Sequence, residues 1–135
     1  MSVVDASVVV DFLLGAGSEA GDEFAHLLRT AAVISAPMLI DIEVAQVIRR
    51  IVRRGEVEDA TAESMIHDLV HIPIRRYPVR LLVARAFDLR HRFTMYDAVY
   101  LALAERLDVP LFTGDSAFGQ MAGMSVDVRL VATSS

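Results

Sequence analysis

Short apolar runs alternate along the chain with longer segments in which apolar residues recur every three or four positions. The short runs predict buried β-strands, and the longer segments predict amphipathic α-helices. The predicted strands are residues 2–5, 31–37, 110–115 and 126–131, and residues 72–78, between two prolines, are expected to be extended. The predicted helices are residues 7–15, 19–30, 37–54, 57–70, 79–92, 93–109 and 116–121.

The order of these elements predicts an α/β fold. Short apolar strands separated by helices are typical of a parallel sheet with helices on both of its faces. The chain shows no internal repeat, linker or low-complexity segment, so residues 1–135 are interpreted as one domain. This length is sufficient for a hydrophobic core of ordinary size.

Glu43 interrupts an otherwise apolar row on the third predicted helix. Leu39 and Val47 lie one turn before it and one turn after it. A buried carboxylate without a partner is costly, so Glu43 needs a salt bridge, a metal ion or a proton. Arg50 and Arg85 are the candidate partners for a salt bridge.

Composition narrows the possible chemistry. The sequence has no cysteine, which excludes disulfides, cysteine zinc sites and thiol catalysis, and is compatible with a reducing cytoplasm. All 13 basic residues are arginine, so a catalytic lysine is impossible. No uncharged apolar run approaches the ~18 residues of a membrane span, and no signal peptide is expected. Hydrophobic residues nevertheless make up 54% of the chain, which suggests a surface covered by a partner or a second copy.

Four carboxylates are expected near one edge of the sheet. In open α/β sheets, ligands bind at the carboxyl ends of the strands, where Asp5 and Asp115 lie. Asp97 falls in the first turn of the helix before the third predicted strand, and Glu43 is on the helix that follows the second. The alternative is that Asp5 and Asp115 are helix N-caps and that Asp97 interacts with its helix dipole.

Clustered carboxylates favour a bound cation, because their mutual repulsion otherwise raises their pKa values. Oxygen ligands without cysteine or a clear histidine pair suit Mg²⁺ or Mn²⁺ better than zinc. Such ions can activate water and stabilise the leaving oxygen of a phosphodiester. The four acids therefore indicate a candidate phosphodiesterase centre.

Three segments resemble the PIN-domain family, and within it the VapC-type ribonuclease toxins of bacterial toxin–antitoxin pairs. They are "VVDASVVVDFLL" near the start, "APMLIDIEVAQVI" in the middle and "TMYDAVYLALAERLDVPLFTGDSAFG" towards the end. The third segment is the most specific of them. The resemblance implies a three-layer α/β/α sandwich with a short parallel central sheet, and a cytoplasmic endoribonuclease that depends on Mg²⁺ or Mn²⁺.

The resemblance also implies roles for individual residues. The catalytic and metal-binding acids would be Asp5, Glu43, Asp97 and Asp115, supported by the hydroxyls of Ser7 and Thr113 and by Gln46. Gln46 stands where the family often has asparagine, and a longer amide can make similar hydrogen bonds. Asp41 is a rival acid, but it lies about 200° around the helix from Glu43, so the two cannot easily face one site.

The partners implied by the resemblance are a VapB-type antitoxin, an RNA substrate such as tRNA or rRNA, and a second copy in a homodimer. A net charge of −5 argues against a broad nucleic-acid surface but allows a local basic groove. The candidate RNA contacts are Arg49, Arg50 and Arg53, with Arg54 beside them and a second run formed by Arg75, Arg76 and Arg80. The alternative for both runs is a solvated face that interacts with the helix dipole.

Two other functions compete with the nuclease. The first is a catalytically weak PIN-like module that acts mainly by forming a complex with its antitoxin. The second is an acidic phosphoacceptor or phosphatase domain, but such domains normally place a lysine near the phosphoryl group and this chain has none.

Overall fold

A computed structural model describes residues 1–119 and 124–134 of the chain. Within these residues the strands are β1 (Ser2–Val4), β2 (Ile34–Pro37), β3 (Ile74–Tyr77), β4 (Leu111–Thr113) and β5 (Val128–Leu130). The α-helices are α1 (Ala6–Leu14), α2 (Glu19–Arg29), α3 (Leu39–Arg53), α4 (Asp59–His71), α5 (Val83–Asp88) and α6 (Met95–Leu107). Short 3₁₀ helices span Val79–Leu81 and Ser116–Gly119.

The five strands form one parallel sheet in the order β3-β2-β1-β4-β5. The chain builds outward from β1 to β3 and then returns to the other side of β1 to add β4 and β5. Right-handed crossovers therefore put α1 to α4 on one face of the sheet and α5 and α6 on the other. The packing agrees, because α1 contacts α2, α3 and α4, whereas α5 packs on α6, which lies against β1, β2 and β4. The predicted α/β/α architecture is confirmed.

The strand order reverses between β1 and β4, in the middle of the sheet. Val3 pairs with Ser35 of β2 on one side and with Leu111 of β4 on the other. A reversal of this kind leaves a crevice outside the carboxyl ends of the two strands, which is where open α/β sheets bind ligands. Asp5 follows β1 directly, and Asp115 lies two residues beyond β4.

The prediction of four strands is wrong by one, because residues 74–77 form an edge strand rather than merely an extended segment. Ile34 of β2 pairs with Ile74, and Pro37 pairs with Tyr77. Pro73 and Pro78 lie just outside the strand, so neither removes a backbone donor from the ladder. Proline is tolerated at the margins of an edge strand for this reason.

The helix predicted over residues 79–92 is interrupted. A 3₁₀ turn over Val79–Leu81 comes first, and α5 then covers only Val83–Asp88. Leu82 joins the two helices with φ −112° and ψ −17°, still in the right-handed helical region, and its side chain is buried. The helix predicted over 116–121 is a 3₁₀ helix over Ser116–Gly119, and the rest of that prediction lies outside the described residues.

Helix α6 is enclosed in the core. All seven residues from Ala98 to Ala104 are buried, as expected for a helix that is apolar on every side. Thr94 caps its first turn by accepting a hydrogen bond from the Asp97 amide at 3.2 Å, as predicted. Among the helices in the described part of the chain, none is both long and apolar enough to cross a membrane.

The segment after β5 is fastened to the first two helices through the buried carboxylate of Asp11. That carboxylate accepts hydrogen bonds from the Ser134 amide at 2.8 Å, the Ser134 hydroxyl at 3.1 Å and the Ser18 hydroxyl at 2.6 Å. The Ala20 amide also donates to the Ala132 carbonyl at 2.9 Å. These bonds hold the segment beside the loop that follows β4.

Candidate active site

Asp5 is held rigidly at the carboxyl end of β1. It is the N-cap of α1, where one carboxylate oxygen accepts from the Ser7 amide at 3.0 Å and from the Ser7 hydroxyl. The other oxygen accepts from the hydroxyl of Thr113 on β4. Burial raises the pKa of the Asp5 carboxyl, although the hydrogen bonds from Ser7 and Thr113 oppose that shift. The N-cap role, which the sequence allowed as an alternative for Asp5, is present, and Thr113 contacts the same carboxylate.

The loop after β4 is built around the same two hydroxyls. The Ser7 hydroxyl accepts from the Gly114 amide at 3.0 Å, and the Thr113 hydroxyl accepts from the Asp115 amide at 3.0 Å. A Cβ atom at Gly114 would lie 2.2 Å from the Thr133 side chain, so that side chain would have to shift to admit any other residue. The Asp115 carboxylate caps the following turn by accepting from the Ala117 amide at 2.9 Å. These hydrogen bonds fix the position of the Asp115 backbone just after the end of β4.

Glu43 of α3 faces the core beside Tyr100 of α6. Its Oε1 atom and the Tyr100 hydroxyl are buried, and neither has a hydrogen-bond partner of good geometry among the described residues. The two groups are nevertheless close enough that each acts on the pKa of the other. Burial raises the pKa of Glu43, and the charges of Asp5 and Asp97 raise it further, while the Tyr100 hydroxyl opposes the shift.

Asp97 and Asp115 complete the acidic set on its solvent side. Asp97 is half-buried in the first turn of α6, and Asp115 is exposed. Burial raises the pKa of Asp97, and the charge of Asp115 adds to this effect. Each of the four predicted acids therefore acts electrostatically on at least one other across the β1–β4 crevice. Within the described residues, however, no three of the acidic or histidine side chains already meet the spacing of a metal site.

The salt-bridge explanation of Glu43 is wrong for the described residues. Arg85 pairs with Glu105 at 2.7 Å and with Asp88 at 3.6 Å. Arg50 forms no ion pair within the part of the chain that the structure describes. Among the ion pairs of the described residues, none joins Glu43 to an arginine, and its carboxylate is influenced by Asp5, Asp97 and the Tyr100 hydroxyl.

Asp41 is not a rival site residue, because it is paired elsewhere. Arg76 of β3 donates to both of its oxygens, at distances from 2.9 to 3.0 Å. Arg76 also donates to backbone carbonyls at the end of α4, including that of Leu69 at 2.7 Å. Arg76 therefore fits neither alternative considered for its run, RNA contact or a solvated face, since its guanidinium joins α3, α4 and β3.

The predicted RNA-binding arginines of α3 separate into two groups. Arg50 and Gln46 line a cavity of about 400 Å³ that also includes Glu43. Arg49 and Arg53 line a different cavity, of about 450 Å³, between α3 and α4. Only Arg50 is thus brought beside the acids, because successive residues of a helix point in different directions.

Two tyrosines of α6 were missed in the sequence. Tyr100 contacts the site three residues after Asp97, and Tyr96 lines the cavity beside Glu43. The available signal was helical spacing, because residues three or four positions apart share a helix face. An aromatic residue in an apolar helix is ordinarily assigned to the core, so that signal was not specific.

Comparison with known proteins now identifies the family. Residues 2–124 match the sequence profile of the PIN domain. The chain is 39% identical over 130 residues to Ribonuclease VapC1 of Mycobacterium tuberculosis, covering 96% of both sequences. This chain belongs to the PIN-domain family and to its VapC group. The resemblance inferred from the three sequence segments is confirmed.

Solved PIN-domain structures share this fold at low sequence identity. The VapBC2 structure from Rickettsia felis, bound to a DNA fragment from its promoter, matches with a TM-score of 0.67 and 9% identity over 96% of this chain and 98% of that one. VapC20 of Mycobacterium tuberculosis, described as a toxin that cleaves the sarcin–ricin loop, matches with a TM-score of 0.62 and 18% identity over 92% and 98%. The PIN-domain architecture of the present chain is thus found in both.

Proposed function

We propose that this PIN domain is an endoribonuclease toxin that depends on a divalent metal ion, Mg²⁺ or Mn²⁺, and is neutralised by a VapB-type antitoxin. Family membership supports RNA cleavage, since its curated relatives are named ribonucleases. The observation that carries the metal site is Glu43. One of its carboxylate oxygens is buried without a hydrogen-bond partner among the described residues, and it faces other acids.

The donor set fits a hard divalent cation. Carboxylate oxygens of Asp5, Glu43, Asp97 and Asp115 would hold the ion, and no cysteine competes to select a softer metal. A cation would also offset the cost of the buried carboxylates, whose pKa values are raised in its absence. When bound, the ion supplies activation of water and stabilisation of charge on the phosphodiester.

The surrounding residues position the acids and leave one side of the site open to substrate. Ser7 and Thr113 fix the Asp5 carboxylate, and through Gly114 and Asp115 they also fix the loop after β4. Tyr100 lies against Glu43, and its hydroxyl opposes the rise in the pKa of that carboxyl. The more exposed Asp97 and Asp115 form the side from which a phosphodiester can enter. These arrangements preorganise the acids before substrate arrives, which is the main source of catalytic power that rigid elements can supply.

The test of metal-dependent cleavage makes the same glutamate-to-glutamine substitution at the site and at an exposed position away from it. Glu43→Gln removes the proposed ligand, whereas Glu56→Gln alters an exposed glutamate after the end of α3. Both proteins, purified identically, are incubated with mixed tRNA and rRNA in Mg²⁺ or Mn²⁺ and in EDTA. We expect Glu43→Gln to lose at least ~100-fold in cleavage rate, since even supporting groups at metal sites cost 10–100-fold, and Glu56→Gln to match the wild type. Equal cleavage by all three proteins would refute the assignment.

A calorimetric titration with Mn²⁺ separates metal binding from activity. The wild type is expected to bind the ion, and Asp97→Asn and Asp115→Asn should bind it more weakly. Absence of binding by the wild type would favour the alternative of a catalytically weak module that acts through its antitoxin complex. The nuclease assay and this titration together distinguish the two functions.

We further propose that the toxin works in the cytoplasm as a homodimer, because tRNA and rRNA lie there and several large apolar side chains stay exposed. The exposed side chains include Met38, Val70, Leu81, Val83 and Leu130. Light scattering of the purified protein tests the dimer, and co-purification with its antitoxin tests the complex. A monomer at micromolar concentration would contradict the first of these proposals.

A further inference from the structure

A cavity of about 400 Å³ opens beside Glu43, between α1, α3 and the start of α6. Its polar lining consists of Glu43, Gln46 and Arg50 of α3, and its aromatic lining is Tyr96 of α6. Tyr96 directly precedes Asp97, so the cavity borders the acidic set through two different elements. A group occupying this cavity would therefore lie next to a phosphodiester held by the acids.

The apolar part of this lining is unusually exposed. Ile42 is 70% exposed and Tyr96 is 62% exposed, although each is a large apolar or aromatic side chain. Isolated exposed residues of this kind are ordinary, but two of them bordering one cavity beside a candidate catalytic centre mark a binding surface. Neither side chain is needed by the core, which is formed by the opposite face of α3 and by the buried middle of α6.

The polar lining suits a nucleotide. Arg50 is exposed and has no salt bridge among the described residues, so its guanidinium is available to a phosphate. The exposed amide of Gln46 can both donate and accept hydrogen bonds, as the edge of a nucleobase requires. An aromatic face, an amide and a cation are the groups with which proteins bind unpaired nucleotides.

We propose that this cavity is a nucleobase-binding subsite, in which an unpaired base adjacent to the scissile phosphate stacks on Tyr96 while Arg50 contacts the flanking phosphate. The proposal rests on the proposed ribonuclease function and adds a recognition site to it. The site would select single-stranded or loop RNA, because a base within a duplex is already stacked and cannot enter the cavity. Gln46 would then influence which base is preferred.

A second copy of the chain is the competing occupant. The polar residues favour RNA, since Arg50 and Gln46 would have to be desolvated in an apolar self-interface without a partner identified on this chain. The shared residue Glu43 also ties the cavity to the reacting phosphate rather than to a distant surface. The oligomeric state of the variants distinguishes the two occupants.

The test measures binding of a short single-stranded RNA in EDTA, where cleavage does not interfere. Tyr96→Leu removes the ring but keeps an apolar side chain, Tyr96→Phe keeps the ring, and Phe87→Leu alters an exposed aromatic residue on α5. We expect Tyr96→Leu to weaken binding about 5- to 100-fold, as loss of one stacked base does, while Tyr96→Phe and Phe87→Leu bind like the wild type. Equal affinity of Tyr96→Leu and wild type would overturn the proposal.

A second test removes the base from the RNA instead of the ring from the protein. A series of RNAs is used, each with an abasic nucleotide at a different position. At one position, removal of the base should weaken wild-type binding as much as Tyr96→Leu does, and should have little further effect on that variant. Additive losses at every position would contradict stacking on Tyr96. If Tyr96→Leu instead converts a dimer to a monomer in light scattering, the cavity is a self-interface and the proposal is wrong.

The outcomes for the subsite and for the nuclease are separable. Loss of RNA affinity in Tyr96→Leu together with a wild type that cleaves no RNA would support the subsite and refute the proposed nuclease. In a protein that does cleave, Tyr96→Leu should raise KM for single-stranded RNA much more than it lowers kcat, because stacking is present before and during the reaction. A loss confined to kcat would indicate that Tyr96 positions the neighbouring acids and does not bind a base.

Discussion

Glu43 is half-buried against Tyr100, and burial together with the charges of Asp5 and Asp97 raises its pKa above the ordinary value of 4.5. A carboxyl with a raised pKa favours folding in its protonated form and loses that contribution as pH rises through the raised pKa. In EDTA at pH 7, Glu43→Gln should therefore be more stable than the wild type. The difference should shrink as the pH falls towards and below 4.5, where Glu43 is protonated in both states.

Urea unfolding of the two proteins at neutral and acidic pH measures this effect, with Glu56→Gln as the exposed control. Saturating Mg²⁺ should stabilise the wild type more than Glu43→Gln, because an ion that binds only the folded state adds to stability by mass action. A Glu43→Gln protein that is less stable than the wild type at pH 7 in EDTA would indicate a structural role for the carboxylate.

Thr113 combines two tasks in one buried hydroxyl, donating to Asp5 and accepting from the Asp115 amide. Thr113→Val keeps the shape but leaves both partners unsatisfied, so we expect a loss of about 1–3 kcal/mol in unfolding free energy. Cleavage should also fall by about 10- to 100-fold, as for other groups that orient metal ligands. Thr113→Ser retains the hydroxyl and should keep most of the activity in the same denaturation and cleavage assays. Full activity in Thr113→Val would show that Asp5 needs no such support.

The sequence indicated some residues of the candidate site and not others. The four acids could be selected because Asp5 and Asp115 follow strands, Asp97 opens a helix and Glu43 breaks an apolar row. Their position on one edge of the sheet depends on the strand order, which local patterns do not specify. Tyr96 could not be distinguished from a core residue, because the sequence pattern of an apolar helix does not show whether one of its aromatic side chains is buried or exposed.

At the scale of elements, Arg76 joins β3 to α3 and to the end of α4. Its side chain is only 21% exposed, and it donates to Asp41 and to several backbone carbonyls. We expect Arg76→Gln to lower the unfolding free energy by about 1–2 kcal/mol, because charged hydrogen bonds to partly buried acceptors are lost. Arg75→Gln, at the exposed neighbouring position, should change it by less than ~0.5 kcal/mol in the same urea titration. Similar values for the two variants would refute this role.

Element prediction succeeded where one physical signal dominated. The apolar pattern predicted α3 and α6 close to their observed bounds, because α3 has one apolar face and α6 is a long apolar segment with a capping threonine. β3 was predicted only as extended, since its flanking prolines mark edge strands and loops alike. The change from the 3₁₀ turn over Val79–Leu81 to α5 was not predicted, since an apolar period of three to four residues does not distinguish a 3₁₀ turn from an α-helix.

For the molecule as a whole, a net charge of −5 repels RNA, so binding depends on where the arginines lie. Binding of single-stranded RNA should weaken with salt, with a log–log slope of about −0.7 for each phosphate contacted. Arg50→Gln should make the slope shallower by about 0.7, because Arg50 lines the cavity beside Glu43. Arg53→Gln, on the α3–α4 cavity, serves as the matched control and should leave it unchanged. Fluorescence anisotropy at several salt concentrations measures both slopes, and identical slopes in all proteins would exclude the contact.

The hydrogen bond between Thr113 and Asp5 spans 108 positions of sequence, because β1 pairs with β4 across the centre of the sheet. Pairing between such distant segments forms late, since the intervening chain must be ordered first. During synthesis, Asp5 emerges from the ribosome long before Thr113 and Asp115 can reach it. A growing chain therefore cannot bring the four proposed acids together on a folded sheet at an early stage. On the proposed assignment of the four acids, RNA cleavage begins only after residue 115 has emerged and β1 has paired with β4.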